Sequence, residues 1–434
     1  MKIEHKKVIE VIDDKKLDEI KFLQELIRAP STIGQEESAQ DPILQKFTEL
    51  NLKVDMWEPS VEDLCKIFPG YIPYIPEERT EENIYTNRNN LVGILKGVGG
   101  GKSIILNGHV DVAPPGRREL WRHNFWSGLI ENDKIYGRGA CDMKGGIAAM
   151  AYAVGALKES GMRLKGDVIV ESVIDEEGGN AGTCACIARG YRADAAVVTE
   201  PTNLEIQIAQ GGLLRFQIIV KGKPAHAAMK YEGVSALEKA MRIYNVLMDL
   251  EAYRRSVKRH ALFERYQNQI PLNVGLLKSG RLYSMVPDEA TMEGRVGLLP
   301  GETFEQVKEQ LEEYVRTAAK LDPWLKDHLP EVEWGMVGAG ALPSYEIPID
   351  HPFVQTFEET FKEATGADAL ISAMPAGCDA SLLGIYGNTP CALFGPGEGL
   401  RHAHSPNESV KIDDVITATK VLALTILNWC EYES

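Results

Sequence analysis

Two histidines and a set of carboxylates, each beside an apolar or glycine-rich segment, are the residues of this chain best suited to chemistry. His109 and Asp111 stand one residue apart in NGHVDV, directly after the apolar run at 103–106. A histidine and a carboxylate so spaced at a strand end suit a metal site, in which one ligates and the other clamps it. Further clusters follow: Asp142 in YGRGACDMKGG, Glu176 with Glu177 in IDEEGG, Glu200 in VTEPT and His404 in HAHSPNE. Imidazole nitrogen and carboxylate oxygen are donors preferred by catalytic Zn2+, which keeps an open position for water. The joint pattern is that of two-metal hydrolysis.

Each residue taken alone has a plainer reading. His109 reads as a satisfied buried histidine, Asp142 as the cap of the helix MKGGIAAM, Glu176 and Glu177 as charges at a turn, and Glu200 as a strand-end residue before Pro201. Five such clusters at or shortly after strand ends make a poor coincidence.

The elements that must position them follow from hydrophobic periodicity. Residues 8–29 read as an amphipathic helix ending at Pro30, residues 36–50 as a second helix, and NLKVDMW as a strand. From 58 to 90 the chain is rich in Pro, Glu, Tyr and Asn without a clear period, which suggests a long surface excursion. NLVGILKG and KSIILNGHVDV, joined by GVGGG, carry a hairpin signal. KIYGRGACDMKGGIAAMAYAVGALKESG runs from a short strand through a glycine-rich turn into a long helix; VIVESVIDEEGG and ADAAVVTEPT are apolar strands ending in acid. Alternating strands and helices argue for an α/β sheet with a buried centre. Ligands in such sheets bind outside the carboxyl ends of the strands, so residues distant in sequence can converge there.

The pattern changes near Gly211. A strand (LLRFQIIVKG), a helix, two strands (IPLNVGLLKSG and EATMEGRVGLL), a second helix and a short strand (PEVEW) give the order βαββαβ of a ferredoxin-like unit. This unit is expected over 212–338, inserted into a catalytic domain made of 1–211 and 339–434.

Composition bounds the function class. The chain has 434 residues, 44% hydrophobic and 25% charged, with a formal net charge of -16. That charge argues against a nucleic-acid partner, which calls for a basic patch. No apolar run approaches the roughly 18–20 residues needed to span a bilayer. The start, MKIEHKKVIEVIDDKK, has no apolar stretch or small-residue cleavage site of a secretory leader, so a cytoplasmic location is expected. The seven cysteines are scattered without CxxC pairs and read as free, mostly buried thiols.

The set NGHVDV, YGRGACDMKGG, IDEEGG, VTEPT and HAHSPNE resembles the dinuclear-zinc amidohydrolases, a family that includes acetylornithine deacetylase, succinyl-diaminopimelate desuccinylase, aminoacylase-1 and carboxypeptidase G. The resemblance runs over nearly the whole chain and is nearest to the acetylornithine deacetylase branch. It implies a zinc-exopeptidase-like α/β catalytic domain with a mixed central sheet flanked by helices, plus a ferredoxin-like lid and dimerisation domain. It also implies two Zn2+ per subunit, with Co2+ or Mn2+ as substitutes. His109 and Glu200 would hold one metal, Glu177 and His404 the other, with Asp142 between them. Asp111 would orient His109, and Glu176 would be the general base for attack of metal-bound hydroxide on an amide. Adjacent residues at a strand end point to opposite sides, so Glu177 could face a metal while Glu176 faces the water. His402 lies near; the family pattern selects His404 through Asn407 and Glu408.

The resemblance further implies that His226, in KGKPAHAAM, stabilises the oxyanion from the partner subunit of a homodimer. Arg295 would grip a substrate carboxylate, with Asn273 and the loop at Gly377 as weaker candidates. Two places depart from the family pattern. The segment Tyr283-Ser284-Met285-Val286-Pro287 lacks the asparagine frequent before its Val-Pro, and Cys378 stands where threonine or serine is frequent. Both are expected to border the substrate. The expected activity is removal of an acyl group from a small N-acyl amino acid, with a formyl-aminopyrimidine deformylase, a desuccinylase or a dipeptidase or carboxypeptidase of the same mechanism as alternatives. A metal-dependent binding protein without catalysis is the remote alternative, disfavoured by the intact Glu176.

Overall fold

The computed structural model describes residues 2–68, 71–76, 79–335 and 341–433. These fall into two compact units. The first comprises Met1–Ile208, Glu346–Ala373 and Cys378–Ser434; the second comprises Ala209–Tyr345 and Met374–Gly377. The boundary expected at 338/339 lies outside the described residues.

The first unit is built on a mixed sheet. Its strands β1 (Lys53–Trp57), β2 (Asn90–Leu95), β3 (Ile104–His109), β4 (Val168–Val173) and β5 (Ala195–Val198) lie in the order β1-β2-β4-β3-β5, followed by the strand Cys391–Leu393. β3 runs parallel to β4 and β5. β3, β4 and β5 are buried along their whole length, which explains their continuous apolar runs. Helix α1 (Ile3–Arg28) buries Val8, Ile12, Leu23, Leu26 and Ile27 on one stripe and α2 (Glu37–Glu49) follows it. α3 (Gly145–Glu159) is buried over all but its last two residues. Small residues let it sit close: a Cβ on Gly146 would lie 2.1 Å from the carbonyl oxygen of Thr199.

Two sequence expectations fail here. β2 and β3 are not a hairpin, because β4 lies between them, antiparallel to β2 and parallel to β3. Gly97 and Gly101 of the connection serve close passage, while Gly99 and Gly100 turn the chain in the left-handed region (φ 101° and 86°). A Cβ on Gly97 would lie 2.4 Å from the Lys165 carbonyl oxygen, and one on Gly101 would lie 2.1 Å from that of Cys430. Nor is 58–90 only a surface excursion. It contains the helix Val61–Ile67, capped by Ser60, and it ends on Arg88, which is wholly buried. Arg88 donates to both oxygens of Glu36 (2.6 and 2.8 Å) and to Asp175 (2.6 Å).

The second unit has the βαββαβ order: β6 (Gly212–Lys221), α4 (Ala236–Val257), β7 (Leu272–Ser279), β8 (Glu289–Leu298), α5 (Phe304–Lys320) and β9 (Glu331–Trp334). The strands pair antiparallel as β7-β8-β6-β9, with β7 at an edge. β6 alternates buried and half-buried residues. Its buried face, Leu214, Phe216, Ile218 and Val220, packs in one core with Ile243 and Leu247 of α4 and Leu311 and Val315 of α5.

Candidate metal centre

The parallel strands β3, β4 and β5 deliver their following residues to one edge of the sheet. His109 ends β3 and is 1% exposed. Its Nδ1 faces the main-chain carbonyl of Asp111 at 2.9 Å, which leaves Nε2 free to aim at Asp142 Oδ1 (3.1 Å) and Glu200 Oε1 (3.8 Å). Asp142 lies in the irregular turn Ala140–Lys144, entered through Gly139 in the left-handed region (φ 81°) and leading into α3. Its other oxygen, Oδ2, lies 3.4 Å from His404 Nε2, which is 2.8 Å from Glu177 Oε1.

Glu176 and Glu177 open the single short helical turn Glu176–Gly179, which follows Asp175 in the left-handed region (φ 63°). The strand-alternation argument for the pair therefore does not hold, because β4 ends at Val173. The two side chains diverge by ~100° around a helical turn instead.

The Asp111 carboxylate does something the sequence did not disclose. Its Oδ1 is 3.7 Å from His109 Nδ1, while Oδ1 and Oδ2 accept the main-chain N–H groups of Glu176 and Glu177, each at 3.1 Å. The backbone of Asp111 holds the imidazole, and its side chain caps the turn that carries both glutamates.

The electrostatics describe a site short of positive charge. Burial, with Asp142 second, pushes Glu200 up to about 8. Burial first, then Glu200, Asp379 and Glu177, push Glu176 well above the carboxylate range, with His109 opposing. Burial works against Asp142 too, but hydrogen bonds from His109 and His404 hold it below its ordinary value. His404 is raised to about 10 by its bonds to Asp142 and Glu177. Among the described residues no lysine or arginine pairs with Asp142, Glu177 or Glu200. The candidate ligand atoms form two groups, His109–Asp142–Glu200 and Asp142–Glu177–His404, each with its atoms within 4.8 Å of one another. Asp142 is common to both and offers one oxygen to each histidine. This donor set of nitrogen and carboxylate oxygen, with no lysine or arginine paired to it among the described residues, fits two divalent metals sharing a bridging carboxylate. His402 ends a short helix and belongs to neither group.

Four further candidates lie in the second unit. His226 is exposed and heads the short turn Ala227–Glu232, its Nδ1 accepting the Ala228 N–H. Ser284 and Met285 run beside it: Ala227 donates to the Ser284 carbonyl, and His226 bridges Met285. Arg295 and Asn273 are cross-strand partners on β8 and β7. Arg295 is exposed and, with Gly377, lines a small hollow together with Gly211, Gln269 and Pro375. Gly377 has a packing reason to be glycine, since a Cβ would lie 2.9 Å from Leu342.

Sequence reading passed through the buried groups behind the candidate ligands without giving them these partners: Glu408 served only to select His404, Asp379 only closed the loop at Gly377, and Arg138 was given no role. Arg138 and Glu408 pair at 2.6 Å, and Asp379 accepts from Asn180 (3.0 Å) and Thr183 (2.8 Å). The one available signal was position: Arg138 and Glu408 lie inside the same motifs as Asp142 and His404.

The sequence profile of peptidase family M20/M25/M40 matches residues 105–428. The chain belongs to this family. Among the relatives of this M20 chain is the N-formyl-4-amino-5-aminomethyl-2-methylpyrimidine deformylase of Bacillus subtilis, 33% identical over 388 residues, covering 86% of this chain and 90% of that one. The enzyme of the same name from Halalkalibacterium halodurans is 31% identical and covers 96% of both. Acetylornithine deacetylase of Myxococcus xanthus is 30% identical over 346 residues, 79% of this chain and 84% of that one. The fold is that of the di-peptidase Dug1p of Saccharomyces cerevisiae (TM-score 0.76, 14% identity, all of both chains). It is also that of the aminopeptidase PepT of Bacillus cereus (TM-score 0.71, 19% identity, 96% of this chain and 99% of that one). Family and ligand geometry together make the protein a metal-dependent amide hydrolase.

Proposed function

We propose that the protein hydrolyses the formamide of a small aminomethyl-pyrimidine or a closely similar N-acyl amine, using two divalent metals, zinc foremost. The observation that carries the hydrolytic reading is the pair of ligand groups joined through Asp142, with Glu176 beside them. Similarity to two deformylases over nine-tenths or more of their length supports the formyl group.

His109, Asp142 and Glu200 would hold one ion, and Asp142, Glu177 and His404 the other. Bound there, the ions would supply Lewis acidity that polarises an amide carbonyl and eases deprotonation of water. Glu176 takes the proton from the attacking water and returns it to the leaving amine. Asp111 fixes the backbone from which Glu176 projects.

Arg295 favours a second reading, an N-acyl amino acid or dipeptide. It is exposed without a hydrogen bond or ion pair among the described residues, and a guanidinium so placed suits a substrate carboxylate. A panel of the N-formyl aminomethylpyrimidine, N-acetylornithine, N-succinyl-diaminopimelate and dipeptides, assayed with zinc or cobalt, separates the two. Turnover of the formamide with Arg295→Ala unimpaired supports the first. Turnover confined to carboxylate-bearing substrates, lost in Arg295→Ala, replaces it with the second.

We also propose a cytoplasmic homodimer that shares His226 between subunits as an oxyanion donor. The seven cysteines form no disulfide among the described residues, as a reducing compartment allows. Edge strand β7 exposes Leu276 and Leu277, and Tyr283 beyond it is 96% exposed, a surface suited to strand pairing with a second copy.

A further inference from the structure

Glu408 supplies no ligand atom to either metal group, yet it touches the backbone of Asp142, common to both, and carries the loop of His404 in the second. It is wholly buried. Its Oε1 accepts the main-chain N–H groups of Cys141 (2.9 Å) and Asp142 (3.0 Å). Its Oε2 accepts Arg138 Nη1 at 2.6 Å. Its own carbonyl accepts the N–H of Gly137 at 3.0 Å, where the strand Ser409–Lys411 pairs antiparallel with Lys134–Tyr136.

His404 lies four residues upstream, in a loop that passes through the left-handed region at His404 (φ 58°) and again at Asn407 (φ 61°). Such a loop has little regular hydrogen bonding of its own to fix it. Asn407 pins it on one side, accepting the Arg122 N–H (2.7 Å) and donating to the Leu120 carbonyl (3.2 Å). Glu408 pins it on the other. Arg138 is held in turn, donating to the Pro114 carbonyl (3.4 Å) with its guanidinium 5.4 Å from the Trp121 ring centre.

We infer that Glu408 is a positioning residue for the second metal group: its carboxylate, held by Arg138, locks the Asp142 backbone to the His404 loop across 266 residues of sequence. The inference rests on the assignment of the two ligand groups. It differs from a generic buried ion pair in direction. Oε1 serves two amides of the ligand-bearing turn, Oε2 serves Arg138, and every contact has Glu408 accepting. Two of the three ligands in Asp142–Glu177–His404 depend on this clamp, against one of three in His109–Asp142–Glu200.

The test is Glu408→Gln, read by equilibrium cobalt titration of the metal-free full-length protein, following the visible absorption of bound Co2+. Glutamine has one acceptor oxygen. Turned to the two amides, it sets its NH2 against the Arg138 N–H; turned to Arg138, it sets its NH2 against the amides. Loss of such an outer partner costs roughly 10–100-fold in metal affinity. The expected result is one tight ion in place of two, with the weaker site 10–100-fold weaker. The double variant Arg138→Gln/Glu408→Gln restores a consistent donor–acceptor chain, since the side-chain oxygen introduced at position 138 can accept from the NH2 introduced at position 408. It is expected to regain most of the lost affinity, and it carries the measurement by itself if the single variant does not fold. Two ions bound at wild-type affinity in Glu408→Gln would overturn the inference. So would equal weakening of both sites, which marks loss of fold rather than of the clamp. If the wild-type protein binds no cobalt, the ligand groups themselves are wrong and Glu408 has nothing to position.

Discussion

Asp111→Asn separates two jobs that one carboxylate could do. The sequence assigns Asp111 to clamping His109. In the structure its oxygens receive the amides of Glu176 and Glu177 at 3.1 Å each, while the His109 ring rests on the Asp111 main-chain carbonyl at 2.9 Å, which the substitution leaves in place. Asparagine keeps the shape but offers one acceptor oxygen, so one amide meets an NH2. The loss comprises one charge-assisted hydrogen bond, about 1.5–3 kcal/mol, and an unpaired N–H in a buried site, about 1–3 kcal/mol. Together these amount to about 2.5–6 kcal/mol acting on the single turn Glu176–Gly179. That turn carries Glu177, a proposed ligand of the second metal group, and Glu176, the proposed general base. The expected outcome is a selective loss of the metal held by Glu177 and His404, together with a fall in kcat larger than any change in KM. Calorimetric metal titration of Asp111→Asn, alone and combined with Glu177→Ala or Glu200→Ala, assigns which ion is weakened. Weakening of the ion at His109 and Glu200, with the other intact, would refute the capping role and restore the clamp.

Other outcomes follow from the same geometry. Glu176→Gln should keep both metals and lose about 10^2–10^4 in kcat, the range for a positioned general base; wild-type turnover with two ions bound would remove Glu176 from that role. Mixing inactive His226→Ala with inactive Glu176→Gln should regain activity through hybrid dimers carrying one intact site, and a monomer of full activity in sedimentation would exclude this. Glu19, in α1, is a stability test remote from the metals. It is buried with Oε1 accepting Thr419 at 2.5 Å and Oε2 without a partner, and burial raises it from 4.5 to about 8. Between those values the folded protein keeps a proton that the unfolded chain releases, so stability falls as pH rises across pH 4.5–8. The loss is about 3–5 kcal/mol over the window. Glu19→Gln should match wild type near pH 4.5 and exceed it at pH 8 in urea unfolding; parallel pH profiles would refute the buried neutral carboxyl.

Much of the candidate ligand set was legible in the sequence because its signals are local. His109, Glu176, Glu177 and Glu200 follow apolar runs, and strand termini in a parallel sheet lie on one edge. The structure brings His109, Asp142, Glu200, Glu177 and His404 together, although the rule covers only those that follow the parallel strands; Asp142 arrives by an irregular turn from a strand of a separate antiparallel sheet. The βαββαβ order was legible for a similar reason: β6 alternates with period 2, and α5 has a capping box at Thr303 and Gln306. The failures were non-local. The glycines at 97–101 look the same in sequence whether they turn a hairpin or cross over Lys165 and Cys430. Nothing in 58–90 announces that Arg88 would be buried against Glu36 and Asp175.

The sequence by itself determined the chemistry: the kinds of donor atom, their order, and the strand ends that present them. Those properties belong to residue types and short-range periodicity. Only the tertiary structure decided the use of each neighbour. It turned the Asp111 carboxylate from an imidazole to two amides and set β4 between β2 and β3. It also joined Glu408 to the backbone of Asp142. The physical reason is that a buried hydrogen-bonding group must be satisfied by whatever the fold brings within about 3 Å, and that partner is chosen by the packing of the whole chain, not by the residues beside it in sequence.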